Sequence, residues 1–309
     1  MEKQRYAVIG AGALGGLYGG LLARAGFEVH FLLNRDYDHV VAGGLRVDTK
    51  LGDFHLQDVH AHASAETMPP CDVTIVGLKT TKNGLLNDLL PSPTREGGVV
   101  LVLQNGLNSE ADSVAVVGPD RVLGGCCFLC SNKVGPGHIK HVDQGLVVFG
   151  EYGDRAIDVT PRVQRIADEM VAAGIDAHAT GDLPMTRWKK LMWNIPFNGL
   201  SVALNASTKE IVDDPDALEL AETIVREVHA AAAACGVTVS EKSIVTTIDV
   251  TKAMVPYDSS MRLDYLAKRP MEVEAILGNP IRAANAVGFA MPHVETLYRE
   301  LKFLDRRSR

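Results

Sequence analysis

Residues 6–33 read YAVIGAGALGGLYGGLLARAGFEVHFLL, and this stretch decides the fold. YAVIG is a short apolar strand, and it runs straight into Gly10-x-Gly12-x-x-Gly15. A helix follows and stops at Gly26, a residue type suited to the position just past a helix end. EVHFLL, residues 28–33, is a second strand. The order strand, glycine turn, helix, strand is what separates a dinucleotide-binding motif from a chance match. Gly10 permits the tight turn, Gly12 lets backbone approach a pyrophosphate, and Gly15 lets helix and strand pack closely. Ala11, Ala13 and Leu14 fill the remaining positions of the loop. The free N–H groups of the helix start favour phosphate.

The end of the second strand speaks to which dinucleotide. An acid there would grip a ribose 2′-hydroxyl, about 20 residues past the glycines. The chain instead reads Leu33-Asn34-Arg35-Asp36. A guanidinium at that place suits a 2′-phosphate, so NADP(H) is the expected cofactor. Asp36 keeps the point open, because a shift of one residue would put the acid in place.

The α/β pattern continues outward. CDVTIVGLK (71–79) and GGVVLVLQNG (97–106) read as strands that deliver Lys79 and Asn105 at their carboxyl ends, where open α/β sheets bind ligands. Asn105 before Gly106 is equally a turn former. LRVDTKLGDFHL (45–56) reads as a hairpin insertion, and residues 124–152 as further strands around Gly135-Pro136-Gly137. After about residue 182 strand signals fade. Helices are expected at 184–205, 214–235, 240–253, 259–268, 270–287 and 293–305. HATGDLPM (178–185) is a natural join. The predicted architecture is α/β: a Rossmann-type NADP-binding domain over 1–182, then an all-helical substrate and dimerisation domain over 183–309.

Composition sets limits on function. The 309 residues are 46% hydrophobic and 22% charged, with net charge −7. That is an ordinary globular profile, and the negative balance argues against a nucleic-acid partner. Apolar runs are too short and broken for a membrane span. MEKQRYAVIGAG carries no leader signature, so a cytoplasmic setting is expected. Five cysteines, three of them in CCFLC, lack the spacing of a metal site and read as buried thiols. No metal is expected.

WKKLMWNIPFNGLSVALN (188–205) reads as a buried helix, yet carries Lys190, Asn194 and Asn198. At 100° per residue these three form one stripe, about 6 Å apart along a regular helix axis. Buried amides and an ammonium need partners, internal or from a ligand. A second polar stretch is DSSMRLDYLAKRPMEVEAILGN (258–279). There Asp258 or Ser259 can cap a helix, and Pro270 can start the next one at its first position. Glu272 would then lie in that helix's first turn, favoured by the dipole. Whether Glu272 meets Lys190 is not fixed by spacing.

With these residues assembled, the chain resembles the ketopantoate reductase (2-dehydropantoate 2-reductase) family over essentially its whole length. The resemblance rests on GAGALG (10–15), LKT (78–80), QNG (104–106), GPGHIKH (135–141), the Lys190-x₃-Asn194-x₃-Asn198 spacing, and SSM (259–261) with Glu272 twelve residues past Ser260. It implies a helical second domain like that of 6-phosphogluconate dehydrogenases, and NADPH-dependent reduction of 2-dehydropantoate to pantoate on the way to pantothenate and coenzyme A. It implies Lys190 and Glu272 as catalytic residues, Asn105, Asn194, Asn198 and Ser260 as substrate-binding, and Lys79 and Asn105 as near the cofactor. A homodimer would suit the pairing habit of such helical domains, although no stripe in the sequence fixes the oligomeric state. In the well-studied members an asparagine stands three residues before the position of Ser260; here it is Tyr257, which leaves a different 2-oxo acid as an alternative substrate. A non-catalytic NADP(H)-binding module and an S-adenosylmethionine methyltransferase are the other readings. Lys190 with Glu272 argues against the first, and the helical half with Arg35 against the second.

Overall fold

A computed structural model describes residues 3–254 and 258–308. Backbone contacts divide the chain into two compact units. The first comprises residues 1–104 and 109–183; the second comprises 105–108 and 184–309. The tetrapeptide Asn105–Asn108 thus belongs with the helical unit, although the strand that leads into it does not.

The first unit is built on one mixed sheet of ten strands among the described residues. In chain order these are β1 (Tyr6–Ile9), β2 (Val29–Leu32), β3 (Leu45–Thr49), β4 (Phe54–Leu56), β5 (His60–His62), β6 (Val73–Val76), β7 (Val99–Val102), β8 (Val122–Gly135), β9 (His138–Glu151) and β10 (Ala177–Ala179). They lie in the order β4-β3-β9-β8-β7-β6-β1-β2-β5, with β10 also on β9. Its helices are α1 (Ala13–Arg24), α2 (Tyr37–Gly43), α3 (Leu86–Leu89), α4 (Ala111–Val117) and α5 (Pro161–Ala172). The segment from β7 to β5 is parallel throughout, as βαβ crossovers require. β1 and β6, whose chain neighbours run to opposite sides, mark the switch point where such sheets take ligands. The buried strands read as near-continuous apolar runs, and Tyr6, Val8, Ile75 and Leu101 sit in the core.

The β3–β4 hairpin is antiparallel as its turn residues demand, but it is not a detached insertion. β3 pairs in parallel with the first half of β9, and β10 with its second half. β8 and β9 form the long hairpin expected around Gly135-Pro136-Gly137, with bulges between Phe128 and Leu129 and again further out. Cys126, Cys127 and Cys130 are buried in β8. Among the described residues, no group of three or more His, Cys, Asp or Glu side chains could hold a metal ion.

The second unit is helical: α6 (Leu183–Trp193, which begins in the first unit's last residue), α7 (Gly199–Ala203), α8 (Thr208–Asp213), α9 (Pro215–Ala234), α10 (Lys242–Ala253), α11 (Ser260–Leu266), α12 (Asn279–Ala286) and α13 (Pro292–Ser308). α9 is central. Asp214 caps it by accepting from Ala217 N at 2.8 Å, and Pro215 opens it. It buries Ala221, Ile224, Val225, Val228, Ala231 and Ala232, a stripe at helical spacing. No described helix is long and apolar enough to cross a membrane.

Three expectations need correction. The helix over 184–205 is not regular: Asn194–Asn198 form a π turn between α6 and α7. Pro196 is the cause, since it cannot donate to the Met192 carbonyl four residues back and its ring would press on it. Lys190, Asn194 and Asn198 therefore do not follow an unbroken α-helical stripe. The helix expected from Pro270 starts later, at Val273, so Glu272 precedes it and does not occupy its first turn. Lys268 is left-handed (φ 54) and the Met271 N–H is taken by Asp305 Oδ1 at 2.9 Å, which keeps 268–272 out of the helix. Finally, α8 was not expected. It is set by a capping box in which Ser207 and Glu210 satisfy each other's backbone N–H.

Candidate active site

The glycine loop lies where the motif requires. Gly10 follows β1 with φ 95, and a Cβ there would stand 2.6 Å from Leu78 N. A Cβ on Gly15 would meet the Gly10 carbonyl oxygen at 2.4 Å, whereas one on Gly12 would meet nothing within 4 Å. The turn is thus packed on its inner side and open at Gly12. Gly12 is also the N-cap of α1 and offers no side-chain cap. Ala11, Ala13 and Leu14 are half-buried along this edge. An open, uncapped helix start bordered by close-packed glycines fits a dinucleotide pyrophosphate.

Asn34 and Arg35 are exposed just beyond β2. Asp36 is not available for a ribose. It is buried, it pairs with Lys133, and its Oδ2 accepts from Gly137 N at 3.0 Å. Asp36 thus holds the β8–β9 turn, while Arg35 faces water. Lys79 is exposed after β6, at the start of a 3₁₀ turn over Thr80–Leu85. Gln104, after β7, donates to Leu78 O at 2.9 Å and to Asn83 Oδ1 at 2.6 Å, which ties two strand ends together.

The other site residues lie in the helical unit. Lys190 is at the end of α6 and donates from Nζ to Asn105 Oδ1 at 2.7 Å. Lys190, Asn194, Asn198 and Glu272 are 9%, 4%, 2% and 4% exposed. Among the described residues, Asn194 Nδ2 and Asn198 Oδ1 have no hydrogen-bond partner. Such orphaned groups are rare in native interiors and mark places where a ligand can complete the bonding. One is a donor and one an acceptor, which together match a hydroxyl group; a carbonyl would use only the donor. The π turn at Pro196 sets the direction of both amides, and turns of this kind recur at functional sites.

Ser260 is half-buried at the first position of α11. Its neighbour Ser259 is the cap, accepting from Arg262 N at 3.1 Å. Ser259 and Ser201 oxygens are 2.6 Å apart, and Ser201 donates to Asn198 O at 3.0 Å. A backbone carbonyl only accepts, so Ser201 must give its proton there and Ser259 must donate to Ser201. This one-way chain links the Asn198 turn to the start of α11. Ser201 and Ser259 were not expected in a linking role; the three-residue step from Asn198 to Ser201 was the available signal. Tyr257 lies outside the described residues.

Glu272 is buried just before a second π turn, Glu274–Gly278, and its carbonyl accepts from Ile276 N at 3.1 Å. The two π turns lie side by side.

Comparison with known proteins settles the family. A family model described as "Ketopantoate reductase PanE/ApbA" matches residues 6–154, and "Ketopantoate reductase PanE/ApbA C terminal" matches residues 182–305. The chain belongs to the ketopantoate reductase family. A protein of Nostoc sp. named 2-dehydropantoate 2-reductase is 48% identical over 100% of this chain and 98% of its own length. The crystal structure of 2-dehydropantoate 2-reductase from Geobacter metallireducens is 38% identical, with a TM-score of 0.93 over 97% of this chain and 99% of that one. That from Methylococcus capsulatus is 33% identical, with a TM-score of 0.86 over 98% and 97%. The two-part α/β and helical architecture is that of ketopantoate reductases, and the chain is an oxidoreductase of this family.

Proposed function

We propose that this chain reduces the ketone of 2-dehydropantoate to pantoate with NADPH, as a step of pantothenate biosynthesis. The observation that carries the site reading is the buried Lys190–Asn105 bond of 2.7 Å beside two amides with unspent hydrogen-bonding capacity. The first unit, through Gly10–Gly15, Asn34, Arg35 and Lys79, holds the dinucleotide. The second takes up the 2-oxo acid through Asn105, Asn194, Asn198 and Ser260.

Bound NADPH supplies the hydride. The protein's part begins with the charge that builds on the ketone oxygen. The Lys190 ammonium stabilises that charge and then delivers a proton from Nζ, which yields the alcohol. Asn105 holds the ammonium in place before reaction. Asn194 Nδ2 donates to a substrate oxygen and Asn198 Oδ1 accepts from the substrate hydroxyl. Ser260 donates to the carboxylate, with the start of α11 behind it. Glu272, a buried carboxylate, orients Lys190 or the substrate hydroxyl. A homodimer paired through the helical unit and working in the cytoplasm completes the proposal.

The test is the initial rate of NADPH absorbance loss with purified protein and 2-dehydropantoate, run beside NADH and other branched 2-oxo acids. Preferred turnover of 2-dehydropantoate with NADPH is expected. Faster reduction of another 2-oxo acid would move the substrate assignment while leaving the reaction class intact.

A further inference from the structure

The second π turn has a cause and a consequence that both lead to Lys190. In this turn the Asn279 N–H bonds to the Glu274 carbonyl, five residues back. It is therefore not given to Ala275. The next residue is Pro280, which has no N–H. The Ala275 carbonyl is left without an intrahelical donor, and it is Leu107 that satisfies it, from N at 2.9 Å. One residue earlier, Gly106 (φ 99) lies so close that a Cβ would stand 2.4 Å from the same Ala275 oxygen.

Asn279 adds a second tie. Its Nδ2 donates to Leu107 O at 2.6 Å, and its Oδ1 accepts from Arg282 Nη2 at 2.5 Å. The amide orientation is forced, because a guanidinium only donates and a carbonyl only accepts. Arg282 is fixed in turn by Glu274 at 3.1 Å, and Glu274 also accepts from Tyr298 at 2.7 Å and pairs with Lys302 at 2.9 Å on α13. Burial pushes the Glu274 carboxyl up, but the bonds from Tyr298, Lys302 and Arg282 outweigh it and hold it below its ordinary value. Arg282 and Glu274 are more than half exposed, so the pair adds little stability. Its effect is to orient the Asn279 amide.

Leu107 is thus held by both of its backbone groups, and Asn105, two residues away, presents Oδ1 to Lys190. We propose that Asn279 and Pro280 are positioning residues: together they lock the 105–108 turn and so place Asn105 against the Lys190 ammonium. This rests on the reading of Lys190 as the proton donor, and it adds two residues that touch neither substrate nor cofactor.

The experiment uses the full chain carrying Asn279→Asp or Pro280→Ala, each alone and combined with Asn105→Ala. Asn279→Asp keeps the size and the Arg282 pairing but loses the donor to Leu107. Pro280→Ala offers the Ala275 carbonyl a competing N–H. Hydrogen exchange of the peptide holding residues 105–108 is read by mass spectrometry, and kcat and KM are read with 2-dehydropantoate and NADPH. Faster exchange of this peptide is expected in both variants, with kcat down about ten-fold or more and KM for the 2-oxo acid raised as well, because Asn105 also contacts the substrate. In the Asn105→Ala background the same substitutions should change kcat by less than about two-fold, since they act through Asn105. Unchanged exchange, or kcat losses that simply multiply with that of Asn105→Ala, would overturn the proposal. If exchange accelerates but Lys190→Ala still turns over, the lock stands as a structural fact and the catalytic reading of Lys190 falls instead.

Discussion

Lys190 and Asn105 are 85 positions apart in the chain and meet through one hydrogen bond of 2.7 Å inside the helical unit. An ammonium that is 9% exposed cannot rely on water, so it needs such an acceptor. The bond is one of the contacts that hold the turn after β7 with the second unit, beside those of Leu107 with Ala275 and Asn279. It also connects the two polar features that stood apart in the sequence, QNG and the Lys-x₃-Asn-x₃-Asn spacing.

The Asn105 turn depends on a residue without a side chain. Gly106→Ala places a Cβ against the Ala275 carbonyl in a left-handed conformation. The conformation alone costs about 1–2 kcal/mol, before the clash is counted. The midpoint of thermal unfolding should fall by several degrees and kcat should fall with it. A variant with parent stability and parent kcat would show that the turn is not constrained in this way.

Asn194 and Asn198 give a prediction in which stability and activity part. Each keeps a buried amide atom without a partner among the described residues. Losing an unpaired polar atom costs little for folding, while a hydrogen bond made by the amide's other atom is worth about 1 kcal/mol. Asn194→Leu and Asn198→Leu should therefore change unfolding free energy by no more than about 2 kcal/mol while raising KM for the 2-oxo acid roughly ten-fold or more. Denaturant unfolding and steady-state kinetics on the same samples check it. Strong destabilisation with unchanged KM would make these side chains purely structural.

The proposed cofactor choice rests on Arg35, because Asp36 is occupied by Lys133 and Gly137. Arg35→Ala should raise KM for NADPH roughly ten-fold or more, about 1.4 kcal/mol per factor of ten, and leave KM for NADH nearly unchanged. Equal effects on both cofactors would mean that Arg35 does not meet a 2′-phosphate.

Acid stability should depend on the edge of the sheet at β2 and β5. His30 is buried there, 2.9 Å from His62 and 2.9 Å from Glu28, with His60 stacked on it and Arg5 bonded to the same carboxylate. Burial lowers its pKa, against the pull of Glu28, and burial likewise lowers that of His62. Glu28 is held below its usual value by His30 and Arg5. The folded state thus binds fewer protons than the unfolded one as pH falls below the free histidine value of about 6.5. Stability is fully present above that pH and is lost on acidification through the lowered folded values. Thermal midpoints followed from pH 8 to pH 5 should fall, and His30→Phe should flatten the upper part of the curve. A midpoint that rises on acidification would contradict the assignment of neutral histidines.

What could be read in the sequence was whatever is local. Gly10-x-Gly12-x-x-Gly15 sits between two apolar strands, so its turn and its fit to a dinucleotide are legible from residues 6–33 alone. Lys190, Asn194 and Asn198 were visible as polar residues in an apolar helix. Pro196 was visible too, but its effect, a π turn, depends on how the neighbouring turns resolve one missing donor. Pro270 looked like a helix start, yet Asp305, 34 positions beyond Met271, takes the Met271 N–H and delays it. The pairing of β3 with β9 and the Leu107–Ala275 bond are likewise long-range, and no periodicity announces them. The α8 capping box was local and legible, and the short apolar run after it hid the signal.

The most direct measurement compares Lys190→Ala with the parent chain for reduction of 2-dehydropantoate by NADPH, with NADPH affinity read separately by fluorescence quenching. If Lys190 stabilises the oxyanion and supplies the proton as proposed, its removal should lower kcat by roughly a thousand-fold, while NADPH affinity stays within about two-fold. A Lys190→Ala chain that turns over at close to the parent rate would contradict the account at its centre.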